Sequence, residues 1–262
     1  MDGGGQTQSF WDHLDELRRC LVRICLAVAA LAVLSFCFKE TLFGLILAPQ
    51  KSDFVTYRLL DRLAGLAGSR PESFSVPLIN TGLTRQFVIH MKAAVWTGVL
   101  LSSSYILYQL FRFVSPALYV NEKRYAFQVA GSGYVLFLVG VAAGYFLVFP
   151  LTFRFLGTYM VSEEVVNMIT LDSYVSTLMS ICVTMGIVFE IPLLCWLFGK
   201  LGFLTVKFMR KYRRHAVVII VLAAALVTPT SDVFTLAVVS VPMYLLYELG
   251  VVLVGLAERK RG

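Results

Sequence analysis

The sequence predicts an all-α polytopic membrane protein with six transmembrane helices, both termini cytoplasmic and the last two spans short or broken. Three observations carry that reading. The 262 residues are 58% hydrophobic and only 15% charged, against about 25% charged in ordinary soluble domains. Several apolar runs reach the roughly 20 residues needed to cross a bilayer. The net charge of +7 comes from cations gathered in short segments between those runs, which is where positive-inside sorting puts them. The charge therefore reports orientation in a lipid bilayer, and nucleic acid is not expected as a partner.

The whole chain, 1–262, reads as one integral membrane domain. Residues 1–8 are Gly- and Gln-rich and are expected to be disordered. Ser9 can cap a short helix, and Phe10, Leu14, Leu17 and Leu21 recur at helical spacing. Residues 9–19 are therefore read as an interfacial amphipathic helix, followed by a first span at about 20–38. A long segment at 39–91 comes next, with an amphipathic helix around 57–66 and a Gly/Ser/Pro break at 68–71. The second span is read at about 93–113 and the third at about 126–149, ended by Pro150. A fourth covers about 174–198, and a strongly basic connector follows at 200–214. The run 216–227 is too short for a full-thickness bilayer, and the last, 233–254, passes through Pro242. With both termini inside, 15 of the 23 Lys and Arg fall on the inner side. No cleavable leader is expected, because Asp12, Asp15 and Glu16 precede the first apolar run and no small-residue site ends it.

Chemistry is sparse. Cys20, Cys25, Cys37, Cys182 and Cys195 lie within or beside apolar spans; an odd number without ligand spacing argues against disulfides or zinc. They read as small buried hydrophobes. His13 and Glu16 offer only two ligands. There is no Walker loop, dinucleotide fingerprint or nucleophile elbow, so neither an enzyme nor a cofactor is expected. The membrane carboxylates stand out instead. Glu16 and Glu122 each fall beside the membrane entry of a span, a pair suited to a ligand with two guanidinium groups. Equally, each can pair with a neighbour such as Arg18 or Lys123. Glu190 falls inside a span, where an ionisable group costs on the order of 3 kcal/mol; a structural hydrogen bond and a docking role are both open. Broken spans with carboxylates also suit a small-solute or ion secondary transporter.

Several stretches resemble the TatC family, the multi-spanning subunit of the twin-arginine protein translocase. Phe113, Pro116, Ala117, Leu118, Glu122, Lys123 and Arg124 match F-x-x-P-A-L-x-x-x-E-[KR]-[KR]. His13, Leu14, Glu16, Leu17 and Arg18 match H-[LI]-x-E-L-R, and Gly186, Phe189, Glu190 and Pro192 match G-x-x-F-E-x-P. Thr228, Pro229 and Asp232 match T-P-x-x-D, and Pro242, Tyr247 and Glu248 match the final-span pattern. Departures are Arg85, where the family often has Glu, and Leu236, where it often has Gln. The resemblance implies a signal-peptide receptor and translocase core in a bacterial-type cytoplasmic membrane, driven by the proton-motive force and exporting folded proteins. It implies signal-peptide binding by Glu16, Leu17, Arg18, Phe113, Pro116 and Glu122. It also implies docking of the single-span subunits TatA and TatB near Glu190, Thr228, Asp232 and Glu248, in an oligomeric complex.

Overall fold

The structure, a computed structural model, describes residues 10–66, 76–114, 123–159, 162, 167–227 and 232–259. Residues 1–8, the break at 68–71, Pro116, Glu122 and Thr228 lie outside the described residues. The rest is almost all helix: α1 (Phe10–Cys37), α2 (Lys39–Ile46), a 3-10 turn (Ala48–Gln50), α3 (Val55–Leu66), α4 (Arg85–Val114) and α5 (Lys123–Ala143). A π turn (Gly144–Val148) leads to α6 (Phe149–Thr158), then α7 (Leu171–Phe189), α8 (Ile191–Leu201), α9 (Val206–Lys211), α10 (Arg213–Val227) and α11 (Val233–Arg259). Two short strands, β1 (Leu78–Ile79) and β2 (Ile169–Thr170), pair in parallel with Leu78 opposite Ile169.

The chain forms two compact units, one of Met1–Cys37 with Ala94–Tyr134 and the other of Phe38–Ala93 with Val135–Gly262. In the first, α1 is a single helix where an interfacial segment and a span were expected as separate pieces. No Pro or Gly interrupts 10–37, so nothing local stops propagation. Leu26 and Val33 project outward at 65% and 66% exposure, as suits a lipid-facing side. Gly98 of α4 lets the backbones meet: a Cβ there would lie 2.8 Å from Ala32 N, the small-residue packing on which membrane helices rely. Ser35, Ser102 and Ser103 donate to carbonyls of their own helices, which satisfies each hydroxyl without a neighbouring helix.

In the second unit, Gly140 and Gly144, four residues apart on α5 and the π turn, bring that helix onto α7. A Cβ at Gly140 would lie 2.9 Å from Gly186 Cα, and one at Gly144 would lie 3.0 Å from Cys182 Cα. Pro150 does not end this helix, contrary to the sequence expectation. Lacking an N–H, it leaves the Phe146 carbonyl without its ordinary i+4 donor; the π turn widens the backbone just before it, and the Thr56 hydroxyl donates to Phe146 O. Helix α6 then runs on to Thr158.

The same device repeats around the connector between α1 and α4. Helix α2 ends with free carbonyls, as every helix does, and tyrosines reach them: Tyr145 Oη donates to Leu45 O at 2.6 Å and Tyr174 Oη to Ile46 O at 3.0 Å. Tyr57 Oη lies 3.1 Å from Pro49 O and 3.3 Å from Pro150 O, and burial pushes its phenol well above the ordinary tyrosine range. Arg85, the departure from the family pattern, pairs with Asp172 at 3.3 Å, and Lys92 reaches the same carboxylate at 2.9 Å. The Thr170 hydroxyl accepts from Ser173 N and caps α7.

Helices α8 and α11 pack closely because Gly199 meets Val254 and Gly250 meets Cys195, where added Cβ atoms would lie 3.1 and 3.2 Å away. Helix α8 stops at Gly202, whose φ of 83° is the left-handed conformation that glycine adopts without strain. Helix α10 has 15 residues, about 22 Å at 1.5 Å per residue, short of a hydrocarbon core about 30 Å thick. The last helix corrects the expectation of a short or broken final span: α11 runs 27 residues through Pro242. One proline removes a single backbone bond, and packing on α8 supports the turns beyond it. Among the described residues, four helical stretches are long and apolar enough to cross a membrane: Leu14–Cys37, Gly131–Thr158, Leu171–Leu201 and Val233–Arg259. Helix α4 has the length, at 30 residues, but Arg85, His90, Lys92 and three consecutive serines at 102–104 reduce its apolar character.

Candidate functional site

Two sets of side chains stand out, one in each unit. In the first unit, α1 and α4 enclose a cleft of about 390 Å³ lined by Asp15, Glu16, Arg19, Cys20, Arg23, Gln109, Arg112 and Phe113. Helical periodicity explains the lining. Asp15, Arg19 and Arg23 recur every four residues on α1, Glu16 and Cys20 form the adjacent row, and Gln109, Arg112 and Phe113 sit at i, i+3, i+4 on α4. Gln109 is 5% exposed, and its Nε2 donates to Tyr105 Oη at 2.6 Å. Two carboxylates and three guanidiniums thus share one open, polar hollow. Such a cleft can accept a guanidinium at the acids and an anionic group at the arginines.

Of the six residues expected to bind a signal peptide, Glu16 and Phe113 meet in this cleft. Leu17 is half-buried on α1, while Arg18 is exposed and does not line the cleft. Pro116 and Glu122 lie outside the described residues. Sequence reasoning counted Arg19, Arg23 and Arg112 only as topology signals and missed Gln109. The four-residue repeat from Asp15 through Arg23 is the signal that could have found them.

In the second unit, Glu190 sits where α7 gives way to α8. Pro192 occupies the first turn of α8, and the backbone tightens there, with Glu190 N bonding to Ile187 O at 3.1 Å, a 3-10 spacing. The Glu190 side chain is 7% exposed. Both of its carboxyl oxygens are buried without a hydrogen-bond partner among the described residues. The other docking candidates have visible structural work. Asp232 Oδ1 accepts from Thr235 N at 2.6 Å and caps α11. Glu248 pairs with Arg213 at 2.6 Å and ties α11 to α10. Thr228 lies outside the described residues. Among the described residues no three His, Cys, Asp or Glu side chains gather as a metal site.

Helices packed through small residues, four of the described stretches being long and apolar enough to cross a bilayer, define a polytopic helical membrane protein. The model of the family "Sec-independent protein translocase protein (TatC)" matches residues 12–242, and the chain belongs to that family. Similar relatives are the Sec-independent protein translocase protein TatC of Blattabacterium sp. subsp. Periplaneta americana, 31% identical over 96% of this chain and 97% of that one, and that of Desulforapulum autotrophicum, 34% identical over 93% and 83%. A crystal structure described as the twin arginine translocase receptor TatC superposes with a TM-score of 0.76 at 29% identity, covering 94% of this chain and 99% of that one. The family is a component of a membrane protein translocase, a transport role rather than a catalytic one.

Proposed function

We propose that this protein is the signal-peptide receptor and core subunit of a twin-arginine translocase, exporting folded proteins across a bacterial cytoplasmic membrane. In this reading six helices span the bilayer with both termini inside, and the proton-motive force drives transport. The observation that carries it is the meeting of Glu16 and Phe113, from two separate family motifs, in one cleft. Glu16, together with Glu122 of the connector, accepts the paired guanidiniums of the signal, because the planar fork of arginine matches a carboxylate. Phe113 supplies apolar surface in the same cleft, and Leu17, Arg18 and Pro116 complete the signal-binding set in this reading. Hydrogen bonds to charged groups contribute about 1.5–3 kcal/mol each, enough for recognition while leaving release possible.

Glu190 serves a second partner in this account. Its carboxyl, without a hydrogen-bond partner among the described residues, takes a hydrogen bond from a polar residue on a single-span TatA- or TatB-like helix, and Thr228, Asp232 and Glu248 are further docking residues in this reading. The test is capture of a signal peptide by the purified full-length chain. An Arg-Arg peptide is expected to bind and its Lys-Lys counterpart to bind about tenfold more weakly or worse. Equal capture of both peptides would remove the recognition argument, and small-ion flux through the chain reconstituted alone would favour a secondary transporter.

A further inference from the structure

The basic stretch around α9 is more ordered than a solvated loop requires. Helix α9 has only six residues, yet side chains hold both of its ends. Thr205 Oγ1 accepts from Phe208 N at 3.2 Å, and Glu258 Oε1 of α11 accepts from Val206 N at 3.0 Å. At the other end, Tyr247 Oη donates to Met209 O at 2.8 Å. Met209, 5% exposed, packs with Val251 and Val254 in a small core. One side of α9 is thus fixed to α11.

The opposite side carries Lys207, Phe208, Arg210 and Lys211, all exposed, beside Phe203 at 77% exposure. No acid occurs anywhere from 201 to 231. The two nearest acids on α11 are engaged, Glu258 with the α9 backbone and Glu248 with Arg213. A helix held to α11 therefore presents cations that form no ion pair among the described residues, interleaved with exposed aromatic rings, between the end of one apolar helix and the start of another.

We propose that this side of α9 binds the phosphate headgroups of anionic phospholipids in the leaflet it lies against. The chemistry is complementary throughout. Ammonium and guanidinium groups attract the phosphodiester, each cation near a charged leaflet adding about fivefold to binding. Phe203 and Phe208 enter the boundary between headgroups and acyl chains, where aromatic rings anchor interfacial helices. An acidic protein would satisfy the cations but leave the two phenyl rings without apolar surroundings. The inference rests on the proposed membrane placement, and its test is separate from signal recognition.

The test uses the full-length chain in neutral detergent, with phosphatidylglycerol and phosphatidylcholine as probes and lipid retention read by native mass spectrometry. The wild type is expected to prefer phosphatidylglycerol by at least about tenfold. In K207Q/R210Q/K211Q that preference falls to within about twofold, whereas K207R/R210K/K211R, which keeps charge and fold, retains it. Arg-Arg peptide capture stays unchanged in both variants, so failure here leaves the receptor reading untouched. Equal retention of the two lipids by the wild type overturns the proposal, as does a preference that survives the glutamine variant. Displacement of the lipid by a polyglutamate peptide also overturns it and assigns the surface to an acidic protein.

Discussion

Glu16 and Glu190 are both carboxylates on helices dominated by apolar residues, and their surroundings differ in kind. Glu16 is half-buried in a cleft that also holds Asp15, Arg19, Arg23 and Arg112. Arginines line the same polar hollow, which remains open to exchange. Glu190 is 7% exposed, with no hydrogen-bond partner at either oxygen among the described residues. A buried polar group left in that state costs about 1–3 kcal/mol. The lesson is that an acid in an open hollow among arginines can exchange partners, whereas a buried one without a donor gains from any that arrives. The first environment suits a ligand that must leave; the second suits a helix that docks.

The comparison is broken or sharpened most strongly at the cleft. Replacing Glu16 and Glu122 together by Gln removes two charged acceptors and should weaken Arg-Arg peptide capture by more than about hundredfold, given 1.5–3 kcal/mol for each bond. Glu16→Gln alone should cost about tenfold, read by the same titration. At Glu190 the effect is smaller. Hydrogen bonds within membranes contribute about 0.6–2 kcal/mol, so Glu190→Ala should reduce crosslinking of a single-span partner to α10 and α11 by about threefold to thirtyfold. Peptide capture should remain within about twofold of wild type.

A buried polar group that already has its partner provides the control. Thr56 donates to the carbonyl that Pro150 leaves free, so Thr56→Val should cost stability alone, about 1 kcal/mol. The expected readout is a thermal midpoint lower by about 2–4 °C, with both binding activities unchanged. A loss of peptide capture in that variant would mean that the connector between α1 and α4 takes part in recognition.

Much of this was legible in the chain itself, because composition and periodicity report on burial and on the membrane directly. The largely helical, apolar build was legible from the long apolar runs, and the motifs pointed to the family. What escaped depends on contacts between distant residues. Pro150 reads locally as a stop, but a π turn precedes it and Thr56, 90 positions away from Phe146 in sequence, donates to the carbonyl it leaves free. The G-x-x-x-G spacing of Gly140 and Gly144 was visible and is a packing signal in apolar helices, but its partner at Gly186 was not. Arg85, a departure from the family pattern, finds its counter-charge in Asp172, which the sequence did not point to. Likewise the pairing of Glu248 with Arg213 joins residues that the local pattern does not connect. Sequence alone could not tell which carboxylate oxygens find a partner.

The most direct measurement sets the two carboxylates against each other in the same membranes. A photoreactive Arg-Arg signal peptide and a photoreactive single-span partner are presented to the wild type, to E16Q/E122Q and to E190A, and both adducts are quantified. The account predicts that E16Q/E122Q loses the peptide adduct and keeps the partner adduct, while E190A does the reverse. Retention of the peptide adduct by E16Q/E122Q, or its loss in E190A with the partner adduct intact, would contradict the division of labour between an exchangeable cleft and a docking carboxylate.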